Sequence, residues 1–256
     1  MKNIFATAAS VFVLGLATPA MAQSSISRVD QLGVSNGVTV DQLGATAIND
    51  STIKQGFDPS HFPSELNTAK VIQDGFNVLK NISIIDQDGN ENDASSTQGG
   101  NGAVGDTNRS KIDQAGDNNK AWVVQGNAQL DNDSIVLQTG VGNLATADQG
   151  GTIEGNSNHN DSLITQSGNG NDARVHQGGG SSADNLSTIT QQDSVGLGGG
   201  NIALVNQHGS SNNTSNLFQD GSLNNATISQ NTAVEISNIS ILTQLGLGNT
   251  ATVNQR

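Results

Sequence analysis

Cysteine and tyrosine are absent from this 256-residue chain, which holds one tryptophan, six phenylalanines and three prolines. Without cysteine, a disulfide scaffold is excluded. Charged residues reach only 13% and apolar residues 33%, against roughly 25% and 45–50% in an average globular domain. Too little apolar area is therefore available for a conventional core of large side chains to offset chain entropy. Cationic residues are also scarce. Ten Lys and Arg against 23 Asp and Glu give a formal charge of −13, which argues against a nucleic-acid partner or an anionic membrane surface. The composition leaves two classes: a disordered polar chain, or a repetitive fold held by backbone and side-chain amide hydrogen bonds.

The N-terminus reads as a leader. Met1-Lys2-Asn3 is a short basic start, residues 4–16 are mostly apolar and small, and Ala20-Met21-Ala22 supplies an A-x-A cleavage site. The apolar run is too short for a membrane anchor. A signal peptide over 1–22 and an exported mature chain from Gln23 are expected.

The polar remainder is periodic. Of 21 glutamines, 18 fall into two columns. The first is Gln31, Gln55, Gln87, Gln114, Gln138, Gln166, Gln191, Gln219 and Gln244. The second is Gln42, Gln73, Gln98, Gln125, Gln149, Gln177, Gln207, Gln230 and Gln255. Four residues before each first-column glutamine stands serine, from Ser27 and Ser51 to Ser240, and two before it an aliphatic residue, from Val29 and Ile53 to Leu242. Six before it stands Ser25 once and then asparagine, from Asn49 to Asn238. Six before each second-column glutamine is always asparagine: Asn36, Asn67, Asn92, Asn119, Asn143, Asn171, Asn201, Asn224 and Asn249. Alanine follows two residues later in every repeat except at Val38. Nine copies result, over 25–42, 49–73, 81–98, 108–125, 132–149, 160–177, 185–207, 213–230 and 238–255. Longer connections follow Gln55 and Gln191.

Alternation at period two predicts strands, so each copy reads as two strands and a tight connection. Glycine two residues after the first glutamine, as at Gly33, Gly89, Gly116 and Gly140, suits a turn with positive φ. Both mature prolines, Pro59 and Pro63, fall in a long connection rather than in a predicted strand. The repeating Asn, Ser, aliphatic, Ala and Gln positions then share the inward face. Stacking the copies in register would align like amides into hydrogen-bonded ladders. Outward positions such as Arg28, Lys111, Thr188, Asp93, Lys120 and Arg174 are mixed. The expected architecture is an all-β, two-sheet β-solenoid of nine strand–turn–strand repeats with amyloid-like cross-β stacking. Its structural ladder is expected to comprise the 18 column glutamines and the nine second-strand asparagines.

The pattern S/N-x5-Q-x-G-x4-A/V-x3-Q with an internal Asn resembles the curlin repeat, over residues 25–255. Curlins are the subunits of curli, the secreted amyloid fibres of bacterial biofilms. Two departures stand out: the leading serine is kept only as Ser25, and only Gln23 and Ser24 lie between the leader and the first repeat. The resemblance implies a self-assembling extracellular fibre subunit serving adhesion and biofilm matrix. It also implies a nucleator subunit and a dedicated outer-membrane secretion channel as partners, with no cofactor. A regular ninth repeat favours the major subunit over the nucleator, whose last repeat tends to be irregular and basic.

Other chemistries fit less well. A calcium loop starting at Asp86 would need Gly and Glu where Glu91 and Thr97 stand. His61, His159, His176 and His208 share no ligand spacing, and no nucleophile elbow or phosphate-binding lysine motif occurs. Trp122 and Phe218 fall on outward positions. No catalytic, cofactor or metal residue is assigned, and an enzyme is not expected. A soluble β-solenoid that binds ice, carbohydrate or a surface is the alternative. It calls for capping elements and, for ice, an outward threonine ladder, whereas these motif columns run from Ser25 to Gln255.

Overall fold

The computed structural model describes residues 25–33, 35–43, 48–56, 66–74, 80–99, 107–126, 131–150, 159–178, 184–193, 199–209, 212–232 and 237–256. The leader at 1–22, His61 and both mature prolines lie outside the described residues. Period-two sequence becomes strand throughout. The first repeats give β1 (Ile26–Gln31), β2 (Gly37–Leu43), β3 (Ile48–Gln55), β4 (Thr68–Asp74), β5 (Lys80–Asp88) and β6 (Asp93–Gln98). The middle ones give β7 (Thr107–Asp117), β8 (Lys120–Gln125), β9 (Asn132–Val141), β10 (Leu144–Gln149), β11 (Asn160–Asn169) and β12 (Asp172–Gln177). The last give β13 (Asn185–Gln192), β14 (Ile202–Gly209), β15 (Thr214–Ser222), β16 (Asn225–Thr232), β17 (Ile239–Leu247) and β18 (Thr250–Gln255).

Odd strands form one parallel nine-stranded sheet and even strands a second. The fold is a two-sheet β-solenoid of nine strand–turn–strand units, as the columns predict. Register follows the columns. Ser27 lies beside Ser51, Val29 beside Ile53 and Gln31 beside Gln55, and the same alignment holds from β15 to β17. Because side chains alternate, a one-residue slip would turn every inward residue outward. The inward aliphatic column fixes the register against that.

The core is the narrow space between the sheets. Ile53, Ile85, Ile112, Val136, Ile164, Ile189 and Leu217 line one side, and Ala69, Val71, Ala121, Val123, Ala173 and Val205 the other, all buried. With small alanines and serines buried beside the branched residues, the sheets lie close enough for inward glutamines to reach carbonyls of the facing sheet. At the end units Val29, Val38, Val40, Leu242 and Val253 pack on this core but are only partly covered.

In the units without the longer connections, the link between the two strands is tight because two of its residues have positive φ. One is the glycine column, from +98° at Gly246 to +119° at Gly33. The other precedes the asparagine column: Ser35, Leu66, Glu91, Asn118 and Leu223 sit near +60°, where Gly142, Gly170 and Gly248 occupy the same position. The stretch Asp86–Asn92 considered as a calcium loop is the end of β5 and one of these connections.

Candidate functional site

All 27 residues expected in the ladders lie among the described residues, and those of the interior units are buried between the sheets. The first glutamine column is continuous. Gln31 Nε2 donates to Gln55 Oε1 at 2.7 Å, and the chain of donation runs unbroken to Gln219 and Gln244, also 2.7 Å apart. The second column does the same from Gln42 to Gln255. Each amide after Gln31 also donates across the gap to the facing sheet, while Gln31 donates to the Asn36 carbonyl of its own turn at 3.3 Å. Gln138 Nε2 reaches the Lys120 carbonyl at 3.0 Å, and Gln149 Nε2 that of Asp133 at 3.0 Å. This crosswise bond fixes the orientation of the amide, since only the NH₂ end can face a carbonyl oxygen. Both glutamine ladders therefore donate from the N-terminal toward the C-terminal end of the stack.

The asparagines work differently from a simple side-chain stack. Each Oδ1 accepts the backbone N–H of the asparagine in the following unit, as Asn92 Oδ1 does from Asn119 N at 3.0 Å and Asn224 Oδ1 from Asn249 N at 3.0 Å. In most units Nδ2 reaches the glycine carbonyl of the next turn, for example Asn119 to Gly140 at 2.9 Å and Asn224 to Gly246 at 2.9 Å. These asparagines tie one turn to the next. Asn143, Asn171, Asn201, Asn224 and Asn249 add a side-chain ladder donating toward the N-terminal end. The first-strand asparagines form a further ladder that the expected set leaves out: Asn81 donates to Asn49, Asn108 to Asn81 and Asn132 to Asn108 at 3.0–3.2 Å. The signal for it was the asparagine column from Asn49 to Asn238, six residues before the first glutamine.

The serine column is buried, and its hydroxyls from Ser27 to Ser240 make no hydrogen bond. Serine serves there by its size.

Outward columns stack both opposite charges, as Lys54 beside Asp86 and Arg109 beside Asp133, and like ones. Asp86 lies beside Asp113, and burial, then Asp113, raises its pKa. Asp133 lies beside Asp161; burial comes first in raising both, and Asp133 adds to the rise at Asp161. His176 pairs with Asp148 at 3.1 Å, and that hydrogen bond raises its pKa. The His176 ring also tilts against His208 with centroids 4.9 Å apart. His159 sits between Asp131 and Asp184 at 3.2 and 3.3 Å. Register thus gathers histidines and aspartates that sequence spacing kept apart. Among the described residues, no three such side chains are arranged to hold a metal ion.

The two ends of the stack differ from its interior. Among the described residues β1 and β2, and likewise β17 and β18, have a strand partner on one side only. Gln31, Asn36 and Gln42 are partly exposed at one end, and at the other Asn249 is exposed and Gln255 partly exposed. No protein-family model and no curated protein matches the chain.

Proposed function

We propose that the chain is the structural subunit of a secreted, curli-type amyloid fibre on a bacterial surface, polymerising end to end for adhesion and biofilm matrix. Its role is mechanical rather than catalytic. It acts as the major subunit, seeded by a nucleator and exported through a dedicated outer-membrane channel, as the curlin-like columns suggest. The observation that carries this reading is the complementarity of the two ends. Gln244 and Gln255 terminate ladders that donate outward, whereas Gln31 and Gln42 begin them with their carbonyls toward the other end. Asn249 Oδ1 likewise occupies the place from which, in every preceding unit, the next asparagine N–H is received. The last unit of one copy thus matches the first unit of another as each unit matches its neighbour. Such a heterologous contact makes open filaments rather than closed rings, and unpaired strand edges template addition.

Incubation of the purified protein at micromolar concentration tests this. Fibres that raise thioflavin fluorescence and diffract at about 4.7–4.8 Å and 10 Å are expected. A monomer that persists for days overturns the reading and favours the soluble solenoid.

A further inference from the structure

The most exposed large apolar side chains of the first sheet lie at its two ends, whereas Ile48, Val141 and Leu186 inside it are 39–47% exposed. Ile26 and Leu32 at one end, and Ile239, Ile241, Leu245 and Leu247 at the other, range from 56% exposed at Leu32 to 75% at Ile241. Inside the chain their column neighbours do not cover them. Ile26 lies beside Asp50, and Leu32, by continuation of that register, beside Gly56. Ile239 lies beside Thr214, Ile241 beside Asn216 and Leu245 beside Asp220. A single exposed apolar residue needs no explanation, but a row of four on one strand does.

We propose that these side chains form an apolar clasp at the joint between two copies, with Ile239 and Leu245 of one seated on Ile26 and Leu32 of the next. This rests on the end-to-end reading above. The occupant is a second copy because the register itself makes the match. Setting Gln244 on Gln31 places Ile239 over Ile26 and Leu245 over Leu32, apolar on apolar at both positions. It also places Ile241 over Arg28, whose aliphatic stem can cover it while the guanidinium stays in water. In the Leu245 column the interior units carry Gly56, Asp88, Ala115, Thr139, Ser167, Gln192 and Asp220, so leucine meets leucine only between copies. The amide ladders are alike at every level and do not tell a joint from an interior unit. The clasp does, and it favours the end-to-end register over the many others that nine similar units allow.

The test compares elongation of wild-type seeds by wild-type protein and by an Ile239→Ser/Leu245→Ser variant. Both sites are exposed, so the soluble fold is expected to keep its circular dichroism. Elongation is expected to slow about tenfold or more, given the apolar area lost at each joint. A second arm uses the absence of native cysteine. Neighbouring strands at about 4.8 Å fall within the Cα separation that a disulfide spans. Fibres of a Leu32→Cys/Leu245→Cys variant are therefore expected to oxidise into a ladder of covalent oligomers, and neither single variant to do so. Serine-variant growth at the wild-type rate, including growth that differs only in lateral bundling, would overturn the clasp and leave the end-to-end reading standing. Normal fibres without the disulfide ladder would overturn the register of Gln244 on Gln31, and with it both the clasp and the end-to-end contact. Wild-type protein that forms no fibres at all removes both.

Discussion

A column glutamine in this fold makes three hydrogen bonds with one amide. Gln138 accepts from Gln114 at 2.8 Å, donates to Gln166 at 2.8 Å and donates across the core to Lys120 O at 3.0 Å. Truncation strands all three partners in a space closed to water. Gln138→Ala is therefore expected to cost about 3 kcal/mol or more, since each orphaned buried group costs roughly 1–3 kcal/mol. Denaturant unfolding of the soluble chain measures this. Serine four positions earlier behaves oppositely, because its hydroxyl is buried without a partner. Ser134→Ala removes an unsatisfied group and almost no volume, so the same measurement is expected to show a neutral change or a gain of up to about 1 kcal/mol. Loss of as much stability from Ser134→Ala as from Gln138→Ala would contradict the assignment of serine as a spacer. Outward Lys111 pairs with Asp113 at 3.4 Å on the surface, and Lys111→Ala is expected to change stability by less than about 0.5 kcal/mol. At the ends the amides concern growth more than folding. Gln244→Ala is expected to slow fibre elongation, since an incoming first unit loses its donor.

At the scale of the element, the turn is where stacking constrains the backbone most. A Cβ built on Gly140 would lie 2.1 Å from the Gly168 carbonyl oxygen, and one on Gly116 2.2 Å from that of Gly140. Backbone in a hydrogen-bonded stack cannot give way by that much. Gly142 also has positive φ, but a Cβ there meets nothing within 4 Å. Gly142→Ala is thus expected to cost about 1–2 kcal/mol, the strain of the left-handed conformation alone, and Gly140→Ala clearly more. Thermal unfolding of the two variants separates these, and equal losses would mean that the close approach does not matter. The difference also bears on what sequence could reveal. Strand positions, inward faces, register and the glycine column were all legible, because each is enforced by one side-chain type repeated at a fixed spacing. The second left-handed position was not. It is filled by Ser35, Leu66, Glu91, Asn118 and Leu223 as well as by glycine, because open space there leaves only a modest penalty and no residue type is demanded. The direction of the ladders was hidden for another reason. A glutamine side chain reads the same either way along the chain, and only the facing carbonyl orders it. The asparagine-to-backbone bonds and the contact of His176 with His208 were likewise out of reach, since both depend on how successive units superpose rather than on spacing within one.

Over the whole molecule, parallel in-register stacking multiplies any charge that recurs in an outward column. Asp86 on Asp113 and Asp133 on Asp161 are the outcome, in a chain whose formal charge is already −13. Burial raises the Asp86, Asp133 and Asp161 pKa values above the ordinary 3.8, and the neighbouring aspartates Asp113 and Asp133 add to this at Asp86 and Asp161. In the window between those raised values and 3.8 the folded state holds protons that the unfolded chain has released. Stability therefore rises as pH falls through that window, and the gain is complete below it. His176 acts in the same direction at higher pH. Its pKa is raised above 6.5 by the hydrogen bond to Asp148, so its contribution is full below 6.5 and is lost as pH rises through the folded value. The soluble chain is accordingly expected to unfold at a higher denaturant concentration near pH 5 than near pH 8. Added salt distinguishes this local effect from general self-repulsion. Repulsion among exposed carboxylates is screened within about 8 Å at physiological ionic strength, whereas the burial penalty at half-buried aspartates is not removed by salt. The pH dependence is expected to survive in high salt, and its acidic part just above pH 3.8 to flatten in an Asp133→Asn/Asp161→Asn variant because neither amide titrates, while the part due to His176 remains. Association between copies carries the screened part as well, so fibre growth is expected to accelerate with either acid or salt. A profile that salt alone abolishes would place the whole effect in net charge and leave the stacked aspartates without a role.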